Sequence, residues 1–282
     1  MKRFFSVAIF SVLSLFCQLA AAYNGNLNYV ICDIKRPLAS VGQKNLNIDN
    51  YQRIISSLRD KLQCNALRVY IDVTGLDPEN YPAIYQAVFH YARKIGMKIY
   101  ANPLGTGRQG LSNRELIDIV VRYADFYQPE FLGPFNETGI SVSDMKYIAG
   151  MIKDQLHYGS AMVGPDTQQV NITIDKISGA SNLEDYFDII GSHNAEHDDN
   201  AVLSAWRLLA GEARRPVWAS ENPKPWSVQN AQGEEMGVAA LVDANSPVSG
   251  LVIYLAFPRA IDQNGNLTPF GQALASGIGL RE

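Results

Sequence analysis

Hydrophobic positions along the chain fall into two alternating patterns. Short, nearly unbroken apolar runs recur at 29–34 (YVICDI), 67–72 (LRVYID), 98–102 (KIYAN), 130–136 (EFLGPFN), 160–164 (SAMVG), 188–193 (DIIGSH), 216–221 (PVWASE) and 250–257 (GLVIYLAF). Runs of this kind predict strands of a parallel sheet covered on both faces, since a half-exposed strand would alternate strictly. Between them lie amphipathic stretches with helical spacing. In YQRIISSLRDKL, Ile54, Ile55, Leu58 and Leu62 share one face, and Asn47 or Asp49 can cap its start. Ser112 and Glu115 have the capping-box spacing ahead of LIDIVVRYADFY. Ser143 can cap DMKYIAGMIKDQL, Asn200 can cap AVLSAWRLLAG, and Thr268 before Pro269 marks the start of a last helix. The segment NITIDKI reads as strand as readily as helix.

Eight strands, each followed by a helical stretch, recur about every 30 residues, a βαβ repeat that predicts a single (β/α)₈ TIM barrel of the α/β class. The open doubly wound alternative lacks its best support, because CDIKRPLASVG after the first strand holds no G-x-G-x-x-G phosphate loop. No linker or low-complexity segment divides the barrel, so residues 23–282 are expected to form one catalytic domain.

The first 22 residues are set apart. Lys2 and Arg3 precede an apolar stretch from Phe4 to Leu19, and Ala20-Ala21-Ala22 supplies small residues at an A-x-A spacing. This is the layout of a secretory signal peptide cleaved after Ala22. The apolar core is shorter than the ~20 residues a membrane span requires, and bulky Phe16 before Cys17 speaks against a lipoprotein. A secreted protein is expected, extracellular or periplasmic, with no stable membrane insertion after cleavage. The expected mature chain keeps 22 basic and 28 acidic residues, since Lys2 and Arg3 leave with the signal, for a formal charge of −6. An acidic chain with a single Arg-Arg pair, Arg214-Arg215, lacks the footprint of a nucleic-acid binder. With 47% hydrophobic and 18% charged residues it has the composition of a globular core. Cys32 and Cys64 remain after processing; an oxidising destination permits a disulfide, while buried free thiols are also common beside strands.

Charge placement then points to chemistry. In PVWASENPKPW, Glu221 follows an apolar run that enters a buried sheet, a costly place for a carboxylate unless something nearby uses or compensates it. In FLGPFNETGIS, Glu137 stands behind another such run. Barrel enzymes build their sites at the C-terminal strand ends, so Glu137 after strand four and Glu221 at strand seven would face one mouth. Paired carboxylates there suit glycosidic-bond cleavage, one donating a proton to the departing oxygen and the other attacking the anomeric carbon. Two acids in ordinary loops or salt bridges are the plain alternative.

FNE after strand four and WASE at strand seven resemble the retaining β-glycosidases of clan A, which are (β/α)₈ barrels. The resemblance implies Glu137 as acid/base, Asn136 as a partner of the sugar 2-hydroxyl, and Glu221 as nucleophile. It matches Arg68 in LRVYID to the strand-two arginine that keeps the nucleophile ionised, and His193 in GSH to the histidine after strand six. The ending IYLAFPRAIDQNGNLTPFGQAL is similar to the clan's last strand, turn and helix. Two positions depart from the pattern: Ala195 stands where an aromatic often follows the histidine, and the strand-eight tryptophan is absent, with Tyr254, Leu255 and Phe257 nearby. The W-x-S-E form is similar to glycosidase family 30, although the chain has no room for that family's accessory β-domain.

Trp226, Tyr254 and Phe257 are candidate aromatic platforms for sugar faces, whereas Trp218, inside a strand, belongs to the core. Asn102 at the end of strand three and Asp72 at the end of strand two can bond a hydroxyl or cap a loop. The stretch HNAEH (193–197) fits the H-x-x-E-H pattern of a zinc peptidase group, which needs both histidines on one helical face. Here the motif follows a strand, so no metal is assigned. His90 and His157 read as helix residues. The expected protein is a monomeric, cofactor-free β-glycosidase, endo-acting on a polysaccharide or oligosaccharide, with β-glucan the substrate by analogy. A catalytically idle carbohydrate-binding barrel and a zinc-dependent hydrolase are the alternatives.

Overall fold

The computed structural model describes residues 27–35, 46–73, 81–103, 110–178, 181–193, 199–222 and 247–278. The expected signal peptide lies outside them. Strands and helices alternate as β1 (Tyr29–Lys35), α1 (Ile48–Leu62), β2 (Ala66–Ile71), α2 (Ile84–Lys94), β3 (Lys98–Pro103), α3 (Asn113–Tyr127), β4 (Phe131–Leu132) and α4 (Val142–Gln155). They continue as β5 (Ala161–Thr167), α5 (Val170–Ile177), β6 (Ile189–His193), α6 (Asp199–Glu212), β7 (Val217–Asn222), β8 (Gly250–Ile253) and α7 (Pro269–Ile278). Every neighbouring pair of strands is parallel, and β8 pairs back to β1, so the sheet closes on itself. This is a (β/α)₈ barrel.

The apolar runs divide by parity between two cores. Ile31, Ala66, Tyr100, Phe131, Val163, Ile189, Trp218 and Val252 fill the barrel interior, with Tyr29 packed against them. The alternate positions, among them Val30, Leu67, Val69, Ile99, Ala101, Ile190 and Ala219, face the helices and their apolar stripes. Trp218 sits among Tyr29, Tyr100 and Phe131 with ring centroids 4.7–5.9 Å away, as its place inside a strand predicts. This aromatic layer plugs the barrel and leaves the inward polar residues nearer the strands' C-terminal ends as the floor of a site.

Several boundaries differ from the sequence reading. Strand four is two residues long rather than the run 130–136, and the chain from Gly133 to Glu137 is irregular. Strand eight stops at Ile253, because Leu255 takes a left-handed conformation (φ 52°) and turns the chain away. NITIDKI is helical, with Val170, Thr173 and Ile177 buried at helical spacing. Asn47 caps α1 in a reciprocal box with Asn50, and Ser112 does the same for α3 with Glu115. The cap of α4 is Ser141, not Ser143: its hydroxyl accepts the Asp144 amide. Asn200 already lies inside α6 and does not cap it. Thr268 precedes α7, and its hydroxyl accepts the Gly271 amide at 3.1 Å. Cys32, on the outward face of β1, and Cys64, just before β2, are joined in a disulfide with Cα atoms 5.9 Å apart.

Candidate active site

Side-chain parity explains how the first charged residue comes inside. On β2, Leu67, Val69 and Ile71 face the helices, so Ala66, Arg68 and Tyr70 face the barrel axis. Arg68 is fully buried, and its flat fork is satisfied on every side. Nε donates to Asn102 Oδ1 at 3.1 Å, Nη2 to Asn136 Oδ1 at 3.1 Å, and Nη1 to Glu221 Oε2 at 2.5 Å. Asp33 Oδ2 lies 3.6 Å from Nη1, and the Tyr70 ring lies beneath the guanidinium at 4.8 Å. A lysine has neither the donors nor the planarity for this set.

Glu221 reaches the same point through an irregularity. Trp218 and Ser220 point into the barrel, so strict alternation would send Glu221 outward toward the helices. The pairing of β6 with β7 slips by one residue: Ser192 stands beside Ala219, but His193 stands beside Glu221. Ser220 is the extra residue of this bulge, and the bulge turns Glu221 back inside. Burial works to raise the Glu221 pKa, but the charges of Arg68, His193 and Lys35 and the Arg68 hydrogen bond outweigh it. The carboxyl is held below its ordinary value.

Glu137 lies five residues beyond β4, in a left-handed conformation (φ 54°) uncommon for a residue with a side chain. Its amide donates to the Asp166 carbonyl at 2.8 Å. His193 Nδ1 is 3.0 Å from Glu137 Oε1 and 4.0 Å from Glu221 Oε2. One oxygen from each glutamate and one nitrogen of His193 all lie within 4.8 Å of one another. Glu137 keeps 25% of its side chain exposed against 11% for Glu221, so Glu137 is the acid nearer solvent. The arrangement can place a proton donor and an anionic nucleophile on one small group. The same three ligand atoms have the composition of a cation site. Arg68 already neutralises Glu221 there, which works against a second positive charge.

No family model matches the chain, and no curated protein does. Solved structures do. The GH30 endoxylanase from Clostridium papyrosolvens C71 superposes with a TM-score of 0.66 at 12% identity, covering 91% of this chain and 73% of that one. The β-mannanase of Thermomonospora fusca, in complex with mannohexaose, gives a TM-score of 0.63 at 12% identity, over 90% of this chain and 91% of that one. A fungal β-1,4-galactanase gives 0.62 at 14% identity, over 90% and 99%. The neighbours are clan A glycoside hydrolases, the group its motifs resemble. At these identities the likeness establishes the shared barrel.

Of the residues singled out by sequence, Arg68, Asn102, Asn136, Glu137, His193 and Glu221 meet at one place. Tyr254 lies beyond β8 near the same charges: burial, with Glu221 and Asp33 adding to it, pushes its hydroxyl up to about 12. Lys35 Nζ stands over its ring at 5.3 Å. Phe257 is not a platform, because the turn at Leu255 sends it into the helix-side core. Trp226 falls outside the described residues. Asp72 is buried beside Tyr81, whose hydroxyl accepts its amide at 2.9 Å. His193 is the last residue of β6, so it does not begin a helix as the zinc-peptidase pattern requires; residues 194–198 are outside the description. His90 lies on α2 and is exposed. His157 lies just past α4 and pairs with Asp125 at 2.8 Å.

Two buried carboxyls of the barrel interior escaped the sequence reading. Asp33 on β1 flanks Arg68, and burial pushes its pKa up against the pull of the arginine. Asp166 on β5 lies between the strands that carry the two glutamates; burial raises it too, with His193, Ser220 and Tyr100 pulling the other way. The clue that exposed Glu221 was present for both: VICDIK and MVGPDT each set an acid against an apolar run.

Proposed function

We propose that the protein is a secreted, retaining β-glycosidase, endo-acting on a β-linked polysaccharide, with β-glucan the first candidate. The observation that carries this reading is the approach of Glu137 and Glu221 to within 4.8 Å, oxygen to oxygen, at the mouth of a clan A-like barrel. Retaining pairs stand about 5–5.5 Å apart, which leaves no room for the water that an inverting enzyme places between base and sugar. Glu221, held anionic by Arg68, attacks the anomeric carbon as Glu137 protonates the leaving oxygen, giving a glycosyl ester. Glu137, now a carboxylate, takes a proton from water, which attacks the same carbon and releases Glu221. Asn136, fixed by Arg68 and Asn102, is suited to meet the sugar 2-hydroxyl. Arg68 and His193 hold the acids, Asn102 braces Arg68 and Asn136, and Tyr254 offers an aromatic face. The apolar leader of residues 1–22 supports secretion.

The test is a panel of β-linked glucans, xylans, mannans and galactans, followed by NMR of the first product. Cleavage that releases the β-anomer first is expected. The α-anomer first would make the enzyme inverting, and binding without cleavage would make it an idle carbohydrate-binding barrel.

A further inference from the structure

Among the described residues, Asp166 is a barrel-interior carboxyl that touches the chain of both glutamates. Its carbonyl accepts the Glu137 amide at 2.8 Å. Its Oδ1 accepts the hydroxyl of Ser220, the residue before Glu221. Its Oδ2 accepts the Tyr100 hydroxyl at 2.5 Å. The backbone around it is irregular in a matching way. The β5–β6 register slips at Asp166 as the β6–β7 register slips at Ser220, so the two extra residues bond to each other across β6. Asp166 (φ 50°) and Glu137 (φ 54°) are both left-handed and are joined by their backbone hydrogen bond. Such conformations persist only where the surroundings fix them.

The space for this link has been cleared on both flanking strands. A Cβ at Gly191 of β6 would stand 2.2 Å from Asp166 Oδ1 and 3.0 Å from Ser220 Oγ. A Cβ at Gly133, just past β4, would stand 3.0 Å from Asp166 Oδ2 and 2.9 Å from the Tyr100 hydroxyl. A fully buried carboxyl is costly unless it is bonded, and a plain barrel layer would use an apolar residue here. The bulge at Ser220 turns Glu221 inward, and the Asp166 carboxyl holds that bulge.

We propose that Asp166 is a positioning residue that sets the distance between Glu137 and Glu221, holding the first through its carbonyl and the second through the Ser220 bulge. The inference rests on the glycosidase reading for its consequence in catalysis, but its geometric content stands apart from it. It predicts that Ser220→Ala lowers kcat about tenfold with KM within twofold, one hydrogen bond being lost. Asp166→Ala should lower kcat about 100-fold, the scale of a misplaced reacting group. The double variant should be no worse than Asp166→Ala alone, because both changes cut one link. Asp166→Asn, which keeps the shape and can bond both hydroxyls, should restore most of the loss. Rates are taken per active site titrated with a fluoroglycoside inactivator, so that a fall in folded fraction does not count.

Additive losses, or a Ser220→Ala enzyme with wild-type kcat, would overturn the proposal. Crystal structures of Ser220→Ala and Asp166→Asn supply the readout that needs no activity. In Ser220→Ala, Glu221 should swing outward and its gap to Glu137 should widen, while in Asp166→Asn the gap should stay near the wild-type value. Unmoved glutamates in Ser220→Ala would refute the link even if the wild type cleaves no glycan. Should Asp166→Ala fail to fold, the Ser220→Ala kinetics and structure decide the matter alone. A wild type inert on every glycan, with Glu221 displaced in Ser220→Ala, would sink the glycosidase reading and leave the positioning link standing.

Discussion

Arg68 Nη1 stands 2.5 Å from Glu221 Oε2, and the same guanidinium donates to Asn136 and Asn102. One side chain from β2 thus fixes the charge of a residue on β7 and the carboxamides beside it. Breaking a buried pair of this kind costs about 3–5 kcal/mol. Arg68→Lys keeps the charge but loses the fork, so kcat/KM should fall about 100-fold or more. Steady-state kinetics on the cleaved glycan, alongside a thermal melt, measure both losses. A lysine enzyme of wild-type efficiency would show the fork to be dispensable.

The pH dependence follows from the same contact. Glu221 must be anionic to attack, and Arg68 holds its pKa below the ordinary carboxylate value against the effect of burial. The acid limb of kcat/KM should therefore lie below the usual glutamate value of about 4.3. With the charge removed in Arg68→Met, burial prevails and the limb should move up. Stability is linked in the same sense. The Glu221 contribution is present above its unfolded pKa and is lost as pH falls through the lower folded value. An acid limb that stays in place in Arg68→Met would remove Glu221 as the group that titrates there.

The disulfide gives a prediction about stability alone. Cys32 and Cys64 are 32 residues apart, and a loop of that length contributes about 3–4 kcal/mol through the unfolded state. Cys64→Ser should lower the denaturation midpoint accordingly, read by urea titration with and without reductant. A midpoint indifferent to both would mean that the bridge does not constrain the unfolded chain.

The barrel was legible because parallel strands buried on both faces leave continuous apolar runs, and those runs do not depend on register. The glutamates were legible because charge inside such a run is expensive, and Arg68 through the resemblance of LRVYID to the clan's second strand. Register irregularities left no comparable mark. Nothing in PVWASEN reveals that Ser220 is an extra residue, yet that slip decides which way Glu221 points. Phe257 was misplaced for the same reason, since the left-handed Leu255 resets the alternation before it. Asp33 and Asp166 did carry the clue, but Asp166 follows Gly164-Pro165, where a lone acid also reads as a turn, and Asp33 stands in YVICDI with no motif beside it. The α4 cap was missed because Ser141 and Ser143 both stand before the helix, and only the backbone decides between them.

Metal dependence separates two chemistries at one cluster. Glu137, His193 and Glu221 present the ligand types of a divalent site, but the mechanism proposed uses carboxylates alone. Dialysis against a chelator should leave turnover unchanged. Loss of activity restored by zinc would transfer the assignment to metal-assisted hydrolysis.

The two glutamates should fail in opposite ways. Removing Glu221 removes the nucleophile, so Glu221→Ala should lose nearly all turnover. Azide, small enough to enter the vacated space, should restore it and leave a product of inverted configuration, because only one displacement has occurred. Glu137→Ala keeps the nucleophile and loses the proton donor. It should stay active on aryl glycosides with good leaving groups, which need little protonation, and lose activity on the polysaccharide. Azide added to that variant attacks the glycosyl ester in place of water, so its product should be of retained configuration. The different exposure of the two acids fits these parts, with Glu137 nearer to solvent and Glu221 pressed against Arg68. NMR of the azide adducts decides the assignment. Inverted product from Glu137→Ala and retained product from Glu221→Ala would exchange the roles, and wild-type turnover in both variants would place the chemistry elsewhere on the barrel.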